Sequence, residues 1–160
     1  MVNFEPQVLA LADLLRARGW RMATAESCTG GLIAAVCTSV AGSSDWFERG
    51  FVTYSNAAKQ ELLGVPEALI AGHGAVSEEV ARAMVHGALH RAPVELAAAV
   101  TGIAGPGGAV PGKPVGTVWL AWGTRAAVHA QRLQLAGDRG AVRAATVLAA
   151  LDRLTASALG

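Results

Sequence analysis

Between Glu5 and Arg18 the apolar residues Val8, Leu11, Leu14 and Leu15 recur at helical spacing, and Gly19 follows them. The pattern predicts an amphipathic helix that ends at the glycine. Trp20 to Ala25 reads as a short strand, running into the turn Glu26-Ser27-Cys28-Thr29-Gly30-Gly31. Leu32 to Val40 then reads as a buried helix. A second strand spans Phe47 to Tyr54, entered through the polar turn Gly42-Ser43-Ser44-Asp45. Ser55 or Asn56 is placed to cap a helix over Ala57 to Leu63. Ser77, with Glu78 and Glu79 behind it, opens a longer helix that reaches about His90.

Glu95 to Thr101 is a continuous apolar run, the pattern of a central strand covered on both faces. The segment Gly102 to Gly112 is too rich in glycine and proline for either regular element. Val115 to Trp122 and Val128 to Leu135 read as two strands of a hairpin turning near Gly123-Thr124-Arg125. Asp138 to about Ala158 is the closing helix. Strands alternate with helices first and a hairpin comes late. This order predicts an α/β fold, a three-layer α/β/α domain with a mixed, mostly parallel sheet. Residues 1–160 show no repeat, linker or low-complexity tail and read as a single domain.

Composition narrows the function. A hydrophobic fraction of 52% against 16% charged residues excludes a disordered chain. A net charge of +1 gives no footprint for nucleic acid or an anionic membrane, so any phosphate recognition must be local. No apolar run is long enough to span a bilayer, and Leu32 to Val40 is broken by Thr38 and Ser39. The first residues lack the basic start and apolar core of a signal peptide. Cys28 and Cys37 form no CxxC pair and read as reduced thiols, so a cytoplasmic location is expected.

Of the 13 basic residues all but Lys59 and Lys113 are arginine. A retained lysine is a candidate for work arginine cannot do, because lysine can lose its proton when desolvated. Lys59 follows the one tyrosine, Tyr54, and upstream lies Ser27 in its Gly-rich turn. Parallel strands would bring the loops after Ser27, Tyr54 and Thr101-Gly102 to one end of the sheet, where open α/β sheets bind ligands. There Ser27 precedes a helix start, and the Cys28 to Gly31 backbone can hold an oxyanion. The setting is that of a nucleophile elbow, although Glu-Ser-Cys-Thr-Gly is not GxSxG. Lys59, early in its helix, opposes the helix dipole, which favours its neutral form. No histidine has a place in this arrangement, so a Ser/Lys/Tyr mechanism fits better than a Ser/His/Asp triad. Taken singly, Ser27 can be a helix cap, Tyr54 a strand aromatic and Lys59 a solvated charge. Their convergence on one edge favours catalysis.

Other features stay open. The Gly102–Gly112 loop is neither a Walker A sequence nor GxGxxG, and its glycines suit close backbone approach to a substrate. His86 and His90 stand four apart on a helix, as a metal pair can, but with no acid between them. Arg139 and Arg143, with Gly137-Asp138 before them, can present a phosphate site or form a capped helix start with two surface arginines.

Several segments resemble the CinA C-terminal domain family, also described as nicotinamide-nucleotide amidohydrolases. They are Thr24 to Gly31, Val52 to Asn56, Gly74 to Ser77, Thr101 to Gly108, Lys113 to Val118, and Gly137-Asp138-Arg139 with Val142-Arg143. The resemblance covers nearly the whole chain in the family's order. One departure is Leu135, where relatives often carry an aromatic residue. The resemblance implies hydrolysis of nicotinamide mononucleotide to nicotinic acid mononucleotide and ammonia, in pyridine-nucleotide salvage. The family nucleophile carries over to Ser27, with Tyr54 and Lys59 as its activating partners. Glu26, Cys28, Thr29, Gly30, Gly31, Asn56, Thr101, Gly102, Gly105, Arg139 and Arg143 are the substrate-binding candidates. Tyr54 is expected to touch Ser27, with Lys59 tuning Tyr54, and amides near Gly30 and Gly102 are expected to hold the oxyanion. No metal or organic cofactor is implied. The expected partner is a small-molecule nucleotide, with no nucleic acid and no membrane, and a homo-oligomer is expected. Many relatives carry a further N-terminal domain, so these residues match a stand-alone form. Two other readings remain: a binding or regulatory module that holds the nucleotide without turnover, and an amidase for another small metabolite.

Overall fold

A computed structural model describes residues 2–160. Helix α1 (Glu5–Arg18) leads to β1 (Met22–Glu26), α2 (Leu32–Cys37), a 3-10 turn at Ser43–Asp45 and β2 (Phe47–Val52). Helices α3 (Asn56–Leu63), α4 (Glu67–His73) and α5 (Glu78–Arg91) follow. Strands β3 (Leu96–Gly102), β4 (Thr117–Gly123) and β5 (Val128–Gln134) precede the closing helix α6 (Arg139–Leu159).

One five-stranded sheet carries the order β2-β1-β3-β4-β5. β1 pairs in parallel with β2 and with β3, whereas β3–β4 and β4–β5 are antiparallel. Only β4 therefore runs against the rest, as the alternating first half and late hairpin predict. On one face Met22, Leu96, Val100 and Leu120 pack with α1 and α6 through Leu11, Leu15, Leu151 and Leu154. On the other face Ala23, Ala25, Ala97 and Ala99 pack with α5 through Val80, Met84, Val85 and Ala88. Period-two alternation sends each strand's side chains to both layers. The central strand β3 must accordingly be apolar on both sides. No helix among the described residues is long and apolar enough to cross a membrane.

Two elements depart from the sequence pattern for local reasons. α2 stops at Cys37 rather than Val40, because the Thr38 hydroxyl donates to the Ala34 carbonyl at 2.8 Å and Ser39 Oγ to that of Val36 at 2.7 Å. Such side-chain bonds compete with the next helical amides. The unanticipated α4 buries only Ile70, so no apolar stripe marks it in the sequence.

Helix α5 crosses the end of α3 closely at Gly87, where a Cβ would lie 2.1 Å from the Leu63 carbonyl oxygen. Gly87→Ala is expected to force these helices apart and to lower stability by about 2 kcal/mol, the usual scale of overpacking. The check is the urea midpoint; an unchanged midpoint would mean that the crossing yields without cost.

Candidate active site

The site begins with the hydrogen-bond ladder of the sheet. Ser27 is the first residue past β1, yet its amide still donates to the Val100 carbonyl of β3 at 3.0 Å. On the other side the Thr53 amide donates to the Glu26 carbonyl at 2.8 Å. The ladder thus continues beyond the strand ends, fixing Ser27 toward β3 and Glu26, just before it, toward β2. Because β1, β2 and β3 are parallel, their outgoing loops meet there.

Lys59 reaches this point from the first turn of α3. Ser55 caps that helix, its hydroxyl accepting from the Ala58 amide at 2.9 Å. The Lys59 side chain turns inward and is only 1% exposed. Its Nζ lies 2.9 Å from Ser27 Oγ, 2.9 Å from the Thr53 carbonyl and 3.3 Å from the Tyr54 carbonyl. Burial pulls its pKa below the ordinary lysine value. As an ammonium, Lys59 would donate to all three oxygens. As an amine it satisfies both carbonyls with its two N–H bonds and turns its lone pair toward the serine hydroxyl. Two carbonyls that can only accept therefore orient the Lys59 nitrogen toward Ser27 Oγ.

Tyr54 plays a different part from the one expected. Its phenol oxygen accepts from Arg139 Nη2 at 3.2 Å, and the residue is 61% exposed. Its carbonyl, 3.5 Å away, is what approaches Ser27 Oγ. Lys59 stands directly on the serine, and the tyrosine ring stands at the cleft mouth.

Glu26 is not at the substrate surface. It is 1% exposed, and its carboxylate accepts from Thr29 Oγ1 at 2.5 Å, from the Ile33 amide at 2.8 Å and from the Ala34 amide at 2.9 Å. It closes the first turn of α2 from inside. Thr29, Gly30 and Gly31, expected to bind substrate, do not line the cleft, and Thr29 is fully buried. The Thr29 carbonyl accepts from Arg143 Nη2 at 3.0 Å, so Arg143 braces the turn from behind. The Gly30 amide is spent on the Ser27 carbonyl at 3.0 Å and cannot serve an oxyanion. Among the described residues, the amides of Cys28 and Thr29 have no backbone acceptor.

A cleft of about 270 Å³ opens over Ser27, Cys28 and Lys59. Asn56 and Thr101 line it, and Thr101 Oγ1 is tied to the Ala75 carbonyl at 2.9 Å. Gly102 and Gly105 form part of its wall, and a Cβ would come within 2.6 Å of Val118 Cγ2 or 2.5 Å of Val115 Cγ1 respectively. Arg139 stands at the rim, Nη1 donating to the Gly105 carbonyl at 2.9 Å, and a second hollow of about 530 Å³ adjoins beyond it. Ala75 and Val76 also line the cleft. They lay in the Gly74–Ser77 motif, but small apolar residues acting through backbone carry no chemical signal. His86 and His90 lie apart on the exposed face of α5, beside Arg125.

The thiol next to the serine is a poor nucleophile. Burial pushes the Cys28 pKa up to about 11. The hydroxyl beside it in the cleft, Ser27 Oγ, lies 2.9 Å from the Lys59 nitrogen.

The chain belongs to the CinA C-terminal domain family, whose model matches residues 5–158. It is 57% identical over 144 residues to the nicotinamide-nucleotide amidohydrolase PncC of Pseudomonas putida, an alignment covering 90% of each protein. It is also 57% identical over 145 residues to a CinA-like protein of Geobacter sulfurreducens, spanning 91% of this chain and 35% of that one. The solved structure of the competence/damage inducible protein CihA from Agrobacterium tumefaciens matches with a TM-score of 0.94 at 44% identity, over 98% of this chain and 96% of that chain.

Replacing Glu26 by Gln puts an N–H₂ group against donors that need an acceptor. Glu26→Gln is expected to lower stability by about 2 kcal/mol, the cost of a mismatched buried polar group. Denaturant unfolding checks this; a wild-type midpoint would show that the carboxylate is not the anchor of the turn.

Proposed function

We propose that this protein hydrolyses nicotinamide mononucleotide to nicotinic acid mononucleotide and ammonia, as a serine amidohydrolase of pyridine-nucleotide salvage. The observation that carries the mechanism is the 2.9 Å approach of the buried Lys59 Nζ to Ser27 Oγ, with the Thr53 and Tyr54 carbonyls on its other donors. The relatives named as nicotinamide-nucleotide amidohydrolases support the substrate.

Neutral Lys59 takes the Ser27 proton while Oγ attacks the carboxamide carbon. The oxyanion turns toward the Cys28 amide, which has no backbone acceptor and belongs to a residue lining the cleft. The Lys59 ammonium returns its proton to the leaving nitrogen, ammonia departs, and an ester to Ser27 remains. Water then attacks the ester, giving up a proton to Lys59. That proton passes back to Ser27 Oγ as the acid leaves. Tyr54 contributes its carbonyl to the aim of Lys59. Arg139, at the rim between the cleft and the adjoining hollow, is placed for the substrate phosphate.

Ammonia release from nicotinamide mononucleotide tests this reading. Ser27→Ala and Lys59→Arg are each expected to lose at least about a thousandfold in kcat, since each removes a member of the attacking pair. A proton on Lys59 blocks the base, so wild-type kcat/KM should rise with pH through the lowered lysine pKa and level off below the ordinary 10.5. Full activity of Lys59→Arg would exclude Lys59 as the base. Tight binding of the nucleotide by wild type without ammonia release would leave a binding module instead.

The Gly87, Glu26 and Lys59 substitutions probe separate layers of the molecule, respectively helix packing, the turn beneath the serine, and proton transfer.

A further inference from the structure

Lys113, the second of the chain's two lysines, takes no part in the chemistry above. It closes the turn Val110-Pro111-Gly112-Lys113, in which the Lys113 amide donates to the Val110 carbonyl at 2.9 Å and Gly112 has φ 79°. Proline at the second position and a positive φ at the third make this a stiff type II turn. The turn ends the Gly-rich segment whose Gly105, Gly107 and Gly108 line the cleft. From it Lys113 Nζ donates to the carbonyl of His73, the last residue of α4, at 2.8 Å. Gly74, with φ 79°, follows at once, and a Cβ there would stand 3.0 Å from Nζ. A compact ammonium beside a glycine fits this gap.

The far side of the contact is equally well held. Three successive carbonyls are each taken by a side chain. His73 is bound by Lys113, Gly74 by Ser77 Oγ at 2.8 Å, and Ala75 by Thr101 Oγ1 at 2.9 Å. Ala75 and the residue after it, Val76, line the cleft. Of the three side chains, Thr101 directly precedes the Gly-rich segment at the end of β3 and Lys113 directly follows it from the turn. That segment's other anchors lie behind it, Arg139 on the Gly105 carbonyl at 2.9 Å and Arg132 on the Gly112 carbonyl at 2.8 Å.

We infer that Lys113 is a positioning residue, a strap that ties the Gly-rich wall of the cleft to the α4–α5 wall and sets the width available to the substrate. It touches no reacting atom. Its one bond to a helix-terminal carbonyl holds the glycines at the distance where their backbone meets the ligand. A wall rich in glycine has much conformational freedom to lose, so without the strap each binding event must order it anew.

The inference rests on the proposed deamidation only in its kinetic arm. In the structural arm, amide hydrogen exchange over residues 105–113 is compared in wild type and Lys113→Met. Exchange is expected to quicken about tenfold in the variant, the worth of one charge-assisted hydrogen bond. In the kinetic arm, KM for nicotinamide mononucleotide is expected to rise about tenfold with kcat within about threefold. Lys113→Arg, which keeps the cation, should fall between the two. Unchanged exchange in Lys113→Met overturns the strap whatever the activity. A fall in kcat at constant KM overturns it as a determinant of substrate positioning. If wild type releases no ammonia, the functional reading fails, while exchange still decides the strap.

Discussion

Everything in the site follows from burying one lysine nitrogen. An amine taken out of water must find partners, and here its partners are two backbone carbonyls and one hydroxyl. The carbonyls cannot donate, so they consume N–H bonds and leave the serine facing whatever the nitrogen has left. The desolvation that costs stability is what shifts Lys59 toward its neutral amine, below the ordinary lysine range. An arginine in the same place would keep its charge and lose this property. The composition agrees, since a chain that uses arginine almost everywhere keeps lysine here.

The sheet supplies the fixed frame in which that burial is possible. The ladder runs past the strand ends, with the Ser27 amide bound to the Val100 carbonyl and the Glu26 carbonyl, one residue earlier, bound to the Thr53 amide. Glu26 fixes the following turn from below with three donors, and Arg143 braces the Thr29 carbonyl. Neither residue lines the cleft, yet both hold the turn that follows Ser27. The two residues support the turn from outside the cleft.

Much of this was legible in the sequence, and what was not has physical causes. The bounds of α1, the parallel first half and the late hairpin were readable because each apolar pattern is strong and ends in glycine or a cap. The meeting of Ser27, Tyr54 and Lys59 was readable because parallel strands deliver their loops to one edge. The exchange of roles between Tyr54 and Lys59 was not. It depends on how α3 is rotated about its axis, which its half-exposed stripe does not specify, and on carbonyl directions that no residue type encodes. Glu26 was expected among the substrate-binding residues beside Ser27. Its burial under α2 is a tertiary fact, invisible until the short helix is folded over it. The short α4 left no trace because a single buried isoleucine makes no period.

One neighbour of the serine carries a consequence for life in an oxidising environment. Cys28 lies directly beside Ser27 and is only 6% exposed. Peroxides and electrophiles attack the thiolate, and a thiol with its pKa pushed up to about 11 is almost wholly protonated in the cell. Cys37, pushed up to about 12, is still less reactive. The hydroxyl that stands between Lys59 and the cleft has no comparable oxidation ladder. A molecule built this way should go on working through a burst of oxidant that would silence a cysteine hydrolase of the same shape.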